Sequence, residues 1–452
     1  GEYIPHVTRG SCGSSLVCYL LGISHIDPVI HNISFSRFLN EFRDNLPDID
    51  FDFPYNRRDE IFLKLQYKWP GKIARISNHV HYHEKSARRE AMRRCGIKGF
   101  IGKNELYSKK LFKNQAVKDK VDKVTKELLD TFRGYSLHCG GIVYYEDGIP
   151  EDLLMKDNQD RQIYNTIQQI THDKRNVSKE KRFKIDILSS RGIAQLSEVY
   201  RNIFPGKMIA FDDNQYIGDP KTCEMLANGH NIGITLAESP LIRKAFMKLK
   251  PKTLYDMAVC LSIIRPAASQ AKQAEGIEDA KNYLIFDDDA IYMIKFATGC
   301  SEGDADRLRR MLSKHDITKN IEAKKEITQR FYAYENRPNI ELKEVIKNLN
   351  GLRKYSFCKS HAYSYAQLVW HIAYMKAHYP TEFWKATLNH NQSHYRSWVH
   401  KYHAHLSGVN CMDHKLSRND KSIYTKARNK KNMDIFTDPL ISPLKQLKKT
   451  GY

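Results

Sequence analysis

Three aspartates alternate with hydrophobic residues in Pro47-Asp48-Ile49-Asp50-Phe51-Asp52-Phe53. On an extended strand, residues two apart project from one face, with neighbours roughly 6–7 Å apart. Carboxylates that close repel unless a cation lies between them. An oxygen-ligated divalent ion such as Mg²⁺ suits the place, because it takes a few carboxylates together with phosphate oxygens. Two such ions about 3.5–4 Å apart support in-line phosphoryl displacement. The same pattern also describes a solvated edge strand with Ile49, Phe51 and Phe53 turned inward. A fourth acid shifts the balance. Asp186 stands in Lys184-Ile185-Asp186-Ile187-Leu188, an otherwise apolar strand where an unpaired acid would be costly to bury. A pair of acids on one strand and a third on another is the arrangement expected for two-metal nucleotidyl transfer.

Phosphate-binding chemistry is available in three places. Arg9-Gly10-Ser11-Cys12-Gly13-Ser14-Ser15 precedes a short apolar run. Small residues ahead of a helix leave backbone N–H groups for phosphate oxygens, although no Gly-Lys-Ser/Thr follows and a plain helix cap reads equally well. Asp304-Ala305-Asp306-Arg307-Leu308-Arg309-Arg310 places guanidiniums within two turns, and their planar forks match phosphate. Tyr355-Ser356-Phe357-Cys358-Lys359-Ser360-His361-Ala362-Tyr363-Ser364-Tyr365 interleaves aromatic and basic groups, a mixture suited to stacking bases and holding backbones. His79, His81 and His83 alternate on a strand, where transition-metal binding competes with an ordinary polar edge.

The elements that must position these groups follow from periodicity. The first 53 residues mix glycine-rich turns, short apolar runs and acids. Residues 85–133 turn helical and hold 15 Lys/Arg against six Asp/Glu. Val117, Val121, Val124 and Leu128 form an apolar stripe under that basic exterior. Strand texture returns at Tyr135–Ile149 and again at Phe183–Leu188, so the helical stretch interrupts a sheet. Beyond Tyr200 the chain reads as mostly helical to about Asn391, with breaks near Pro240, Pro266, Pro338 and Pro380.

The 452 residues carry 73 Lys+Arg against 52 Asp+Glu, a net +21, with 41% hydrophobic residues. Full disorder is excluded. The longest apolar run, Leu16–Ile23, is broken by Gly22 and too short to span a membrane, and no secretory leader opens the sequence. Nine scattered cysteines without a C-x-x-C pair point to reduced thiols and a cytoplasmic setting. The basic excess favours a polyanion, nucleic acid before membrane.

In this order the motifs resemble the C-family DNA polymerases, the family of the bacterial DNA polymerase III α subunit. The resemblance is carried by Arg9-Gly10-Ser11, Arg37-Phe38-Leu39-Asn40, Pro47–Phe53, His138-Cys139-Gly140-Gly141-Ile142-Val143 and Lys184–Leu188. Glu238-Ser239, Arg265-Pro266, Ala305-Asp306 with Arg309-Arg310, Phe357-x-Lys359-Ser360-His361-Ala362 and Ala373–Pro380 continue it. It implies an α+β fold: a polymerase-β-like mixed-sheet palm (1–84 and 138–200) with an inserted helical thumb (85–137) and a mostly helical fingers domain (201–393). Residues 394–452 would open a helix-hairpin-helix and clamp-contact region, cut short, with a basic tail.

The resemblance also implies roles. Asp48, Asp50 and Asp186 match the catalytic, metal-binding acids, and Asp52 the acid after the pair. Arg9, Gly10 and Ser11 match the triphosphate loop. Arg37, Lys184, Arg309, Arg310, Tyr355 and His361 match positions associated with the incoming nucleotide or primer end. The implied reaction uses two Mg²⁺ ions, with Mn²⁺ as a substitute, to join a dNTP to a primer 3′-hydroxyl on a DNA template. Primer-template DNA and dNTP are then partners. A sliding clamp and a separately encoded PHP or exonuclease subunit are further candidates, in a bacterial cytoplasm and from a bacterium or its phage. Departures accompany the match. Residue 1 already falls in the palm, so the PHP domain is expected to be missing or on another chain. Phe286-Asp287-Asp288-Asp289 replaces Tyr-Gln-Glu-Gln, Arg265-Pro266-Ala267-Ala268 replaces Arg-Pro-Gly-Pro, and Leu236-Ala237-Glu238-Ser239 lacks a glutamine. Two other readings stay open: a DNA-binding remnant that is non-catalytic or dependent on a partner, and a polymerase-β-like nucleotidyltransferase with another substrate.

Overall fold

The computed structural model describes residues 3–43, 46–99, 102, 105–112, 114–155, 167–211, 216–264, 268, 271–313, 317–351, 357–390 and 395–409. The chain is mixed α and β, with five strands and many helices among the described residues, and divides into two compact units. One comprises Gly1–Asp59 and Asp186–Tyr452, the other Glu60–Ile185.

The first unit opens with strand β1 (Val7–Arg9), a short helix α1 (Leu16–Leu20) and strand β2 (Ile49–Pro54). β1 pairs antiparallel with β2, setting Arg9 opposite Asp50 and Val7 opposite Asp52. The period-two alternation of β2 forms a strand as the sequence suggests, yet β2 is not an edge, because the strand Lys184–Ser190 flanks its other side. Its acid-bearing face is covered in part: Asp52 is buried while Asp48 and Asp50 are half-buried. Ser15 caps α1, its hydroxyl accepting from the Cys18 N–H at 3.3 Å.

In the second unit, β3 (Ile73–His81) and β4 (Phe132–Tyr144) pair antiparallel over most of their length, with register shifts near Arg75–Ser77 and Val80–His81. Gly141 is required by close approach, since a Cβ there would lie 2.4 Å from the buried Ile76 side chain. Helices α2 (Glu84–Arg94) and α3 (Gln115–Leu128) pack against each other. Ala87, Ala91, Met92 and Leu106 meet Val121 and Leu128 there, with Val124 partly buried against them. These are three of the four positions of the stripe read from the heptad-like spacing; the fourth, Val117, is half-buried outside this cluster.

Strand β5 (Lys184–Ser190) returns the chain to the first unit. Ser190 caps helix α4 (Arg191–Ile203) by accepting from the Ile193 N–H, so strand and helix meet in one residue, and α4 packs on β2. The large core is built around helix α9 (Lys359–His378), which touches β1, α4 and α5 (Leu254–Ser262). Trp370 on α9 and Phe383 and Trp384 on α10 (Pro380–Asn389) are fully enclosed in it. A smaller core joins α6 (Asp287–Thr298), α7 (Glu302–Ser313) and α8 (Ile317–Ala333) through Ile291, Ile294, Leu308 and Ile327. Helix α11 (Ser397–Leu406) packs on α10. Pro240 and Pro380 are first residues of helices, where the missing N–H is not needed. Pro338 lies between helices, and Pro266 falls outside the described residues.

Candidate active site

Asp50 on β2 and Asp186 on β5 lie on neighbouring strands, with Asp48 just before β2. Asp186 is buried, with 9% exposure. Asp52, two residues further along, has a different environment. Arg9 Nε donates to its Oδ2 at 3.0 Å and Arg9 Nη2 to Oδ1, while the Tyr365 hydroxyl donates to Oδ2 at 2.9 Å. Burial works to lower the pKa of the Arg9 guanidinium, but the hydrogen bonding it donates to Asp52 and nearby charges, Asp50 among them, outweigh burial and raise the pKa overall. Arg9 is thus a fixed cation beside the acids, held by a residue at the end of the D-x-D-x-D run.

The loop after β1 is shaped by Gly10. Its φ of +74° is left-handed, and an added Cβ would sit 3.3 Å from Asp50 Oδ2. The Gly10 N–H donates to His361 Nδ1 at 3.0 Å, and the Gly10 carbonyl accepts from the Ser360 hydroxyl at 2.8 Å and the Cys358 thiol at 3.3 Å. The start of α9 therefore clasps the loop that leads to the acids, and two residues matched separately by resemblance, Gly10 and His361, touch. Ser11 is half-buried at the start of the turn Cys12–Ser14. A cavity of about 500 Å³ opens alongside, lined by Arg9, Tyr55, Ser190, Arg191, Glu238 and Tyr365. Glu238, in the element that lacks its glutamine, accepts from the Gly233 N–H at 3.3 Å and pairs with His400 at 3.0 Å.

Arg37 and Arg309 are brought together by Asp287, and Arg309 and Arg310 by Asp306. Burial works to lower Arg37, yet nearby acidic groups, Asp287, Asp288 and Asp306 among them, raise it. Burial raises Asp306, but the paired arginines carry it below the ordinary carboxylate value. Lys184 belongs to the chain's second unit and is buried there, 4% exposed. Tyr355 lies outside the described residues, as do Arg265, His394 and nearly all of the C-terminal segment. Of the strand histidines, His79 bonds the Thr171 carbonyl at 2.8 Å and lies 3.8 Å from Asp173, and His83 starts α2. Asp287 and Tyr365 had no short-range sequence signal for their roles; each is defined by a partner 250 or more residues away.

Among the described residues, no three His, Cys, Asp or Glu side chains converge closely enough to cage a metal by themselves. The donors present still suit Mg²⁺. They are carboxylates on adjacent strands beside a glycine that leaves Asp50 uncrowded, and Mg²⁺ completes its shell from water and substrate phosphates rather than from protein alone. Among the described residues, no helix is long and apolar enough to cross a membrane.

Two consecutive family models match the chain. The bacterial DNA polymerase III alpha NTPase domain covers residues 2–189, and the bacterial DNA polymerase III alpha subunit finger domain covers residues 196–334. The chain is 26% identical over 434 residues to the DNA polymerase III subunit alpha of Streptococcus pyogenes serotype M1, covering 87% of this chain and 41% of that protein. It is also 26% identical over 418 residues to the error-prone DNA polymerases of Mycobacterium bovis and Mycobacterium tuberculosis, covering 84% of this chain and 37% of each. The chain thus spans about two fifths of the length of these relatives. With its motifs in family order and both domain models matched in succession, the chain belongs to the C family of DNA polymerases, as a DNA polymerase III α-like protein.

Proposed function

We propose that the chain is a DNA-directed DNA polymerase core, adding dNTPs to a primer 3′-hydroxyl on a DNA template. The observation that carries this reading is that Asp50 and Asp186 lie on adjacent strands, with Asp50 beside the Gly10 loop, within the stretch matched by the family's NTPase domain. Residues 1–84 and 138–200 act as palm, 85–137 as thumb and 201–393 as fingers. Residues 394–452 begin the helix-hairpin-helix and clamp-contact region and its basic tail.

Asp48, Asp50 and Asp186 would hold two Mg²⁺ ions, which supply charge neutralisation at the reacting phosphate and lower the cost of deprotonating the primer hydroxyl. The chain's own groups do the rest. Arg9, kept cationic beside the acids, meets triphosphate charge. The Gly10 loop, clasped by Ser360 and His361, fixes where that triphosphate approaches β2. Arg37, Arg309 and Arg310 offer guanidinium forks to the leaving pyrophosphate, with Ser11, Lys184 and Tyr355 assigned to nucleotide or primer contacts. As the primer 3′-oxygen bonds to the α-phosphorus, the bond to the β-phosphate bridging oxygen breaks, pyrophosphate departs and the hydroxyl proton passes to solvent. We place the protein in a bacterial cytoplasm, working with a sliding clamp.

The test is primer extension by the purified chain with MgCl₂, comparing dNTPs with NTPs on DNA and RNA templates. Template-directed dNTP incorporation on DNA is expected, and MnCl₂ should substitute. DNA binding without incorporation, with clamp and accessory subunits added, would leave a binding remnant. Preference for NTPs would assign the site to another nucleotidyltransferase reaction.

A further inference from the structure

The arginines assigned to the triphosphate are already engaged. Arg37 donates through Nε and Nη2 to Asp287 Oδ2 at 3.2 and 2.9 Å, and Arg309 Nη1 lies 3.3 Å from the same oxygen. Arg309 also donates through Nε and Nη2 to Asp306 Oδ1 at 3.0 and 2.8 Å, and Arg310 Nε donates to Asp306 Oδ2 at 2.7 Å. A fourth guanidinium belongs to the group. Arg43 donates to the carbonyls of Phe38 and Arg37, and burial, then the charge of Arg310, pulls it down to about 10. Arg310 is lowered as well, by burial first.

Two neighbouring acids are engaged by backbone N–H groups, although Asp288 also acts on Arg37. Asp288 accepts from the N–H groups of Ser34 and Lys359, and Asp289 from those of Ile285 and Phe286. Among the described residues, the side-chain ion pairs of this group of four arginines go to two carboxylates, Asp287 and Asp306. Asp306 has no exposure and accepts from Arg309, Arg310 and Asn40. Asp287 shares one oxygen between two arginines, and one of these, Arg37, keeps 21% of its side chain exposed. An anion arriving from solvent meets Arg37 and Arg310, which are 21% and 34% exposed, and Arg37 is the one paired with Asp287, whereas Asp306 itself stays enclosed.

We propose that Asp287 is an internal competitor for the triphosphate: its carboxylate holds Arg37 and Arg309 until a polyphosphate takes its place, so Asp287 sets triphosphate affinity as a positioning residue. This rests on the polymerase reading above and adds the element that tunes it. The exchange also selects for charge. An anion must replace the carboxylate at two guanidiniums and compensate the excess over Arg43 and Arg310, which a triphosphate does and a monophosphate does poorly.

The test is calorimetric titration of the full chain with inorganic tripolyphosphate, and with dATP, in MgCl₂. Wild type is compared with Asp287→Asn, Asp287→Gln, the amide of the matching family element, and Asp287→Glu. The Asn and Gln variants are expected to bind at least about fivefold more tightly, equivalent to about 1 kcal/mol. Their dNTP KM in primer extension should fall by a similar factor with kcat changed less, and Asp287→Glu should stay near wild type. Melting curves should show the amide variants less stable alone and raised more than wild type by tripolyphosphate. Amide variants that bind no more tightly than wild type would overturn the proposal. If the amide variants do not fold, carbodiimide footprinting of the wild type decides. Asp287 labelling should rise at saturating tripolyphosphate, and unchanged labelling would overturn the exchange. Failure of wild type and variants alike to bind either ligand would instead remove the polymerase reading on which the proposal stands.

Discussion

Asp50 and Asp52 are two residues apart in the same alternating run, yet their surroundings assign them different work. Asp52 is 1% exposed and held by Arg9 and Tyr365, while Asp50 stays half-buried beside Gly10. Removing one partner from a buried charge pair leaves the other uncompensated. Asp52→Asn should therefore cost about 2–3 kcal/mol of stability, at the lower end because Arg9 is partly exposed. Tyr365→Phe, which deletes one hydrogen bond to a charged acceptor, should cost about 1–2 kcal/mol. Urea unfolding measures both, and an unchanged midpoint for Asp52→Asn would contradict the assignment. The spacing of the acids was legible in the sequence, and Gly10, Arg37, Arg309 and His361 could be singled out there as candidates. That Tyr365 and Asp287 would complete their environments was not. Local pattern carries no information about which side chains meet across 250 or more residues.

At the scale of elements, strands and caps were the legible part. β5 follows the apolar run around Asp186, and Pro380 opens a helix. Helix α9 was harder to read because it is buried nearly all round, and such a helix lacks the one-sided stripe that marks a surface helix. Its last turn holds a buried lysine. Lys376 Nζ donates to the carbonyls of His230 and Ile232 and lies 5.2 Å from the Trp384 ring centre. Burial, then the charge of Arg243, pushes its pKa down to about 7 from 10.5, against the opposing pull of Glu238. Between those values the unfolded chain binds more proton than the folded one, so this lysine makes stability rise with pH, by at most about 1.4 kcal/mol per pH unit. Below about pH 7 its contribution is level. Denaturant unfolding at pH 7 and pH 9 should show a steeper rise for wild type than for Lys376→Met. Equal pH dependence in the two proteins would contradict a depressed Lys376.

For the whole molecule, the net +21 first said only that a polyanion is the partner. Part of that charge lies on the exposed side of α3, where Lys120, Lys123 and Lys126 stand opposite the buried Val121 and Leu128. If these lysines track a duplex backbone, affinity for primer-template DNA should fall steeply with salt. Lys120→Ala with Lys123→Ala should lower the slope of log Kd against log salt by about two, one for each phosphate no longer neutralised. Fluorescence anisotropy across a salt series measures this, and an unchanged slope would remove α3 from the DNA surface. Nucleotidyl transfer would depend on the acids rather than on the net charge, and one comparison isolates them: Mg²⁺-dependent primer extension by wild type and by Asp50→Asn, alongside DNA binding by both. Extension is expected from wild type and should be lost in Asp50→Asn while DNA affinity is retained. Extension by Asp50→Asn at the wild-type rate would contradict the account.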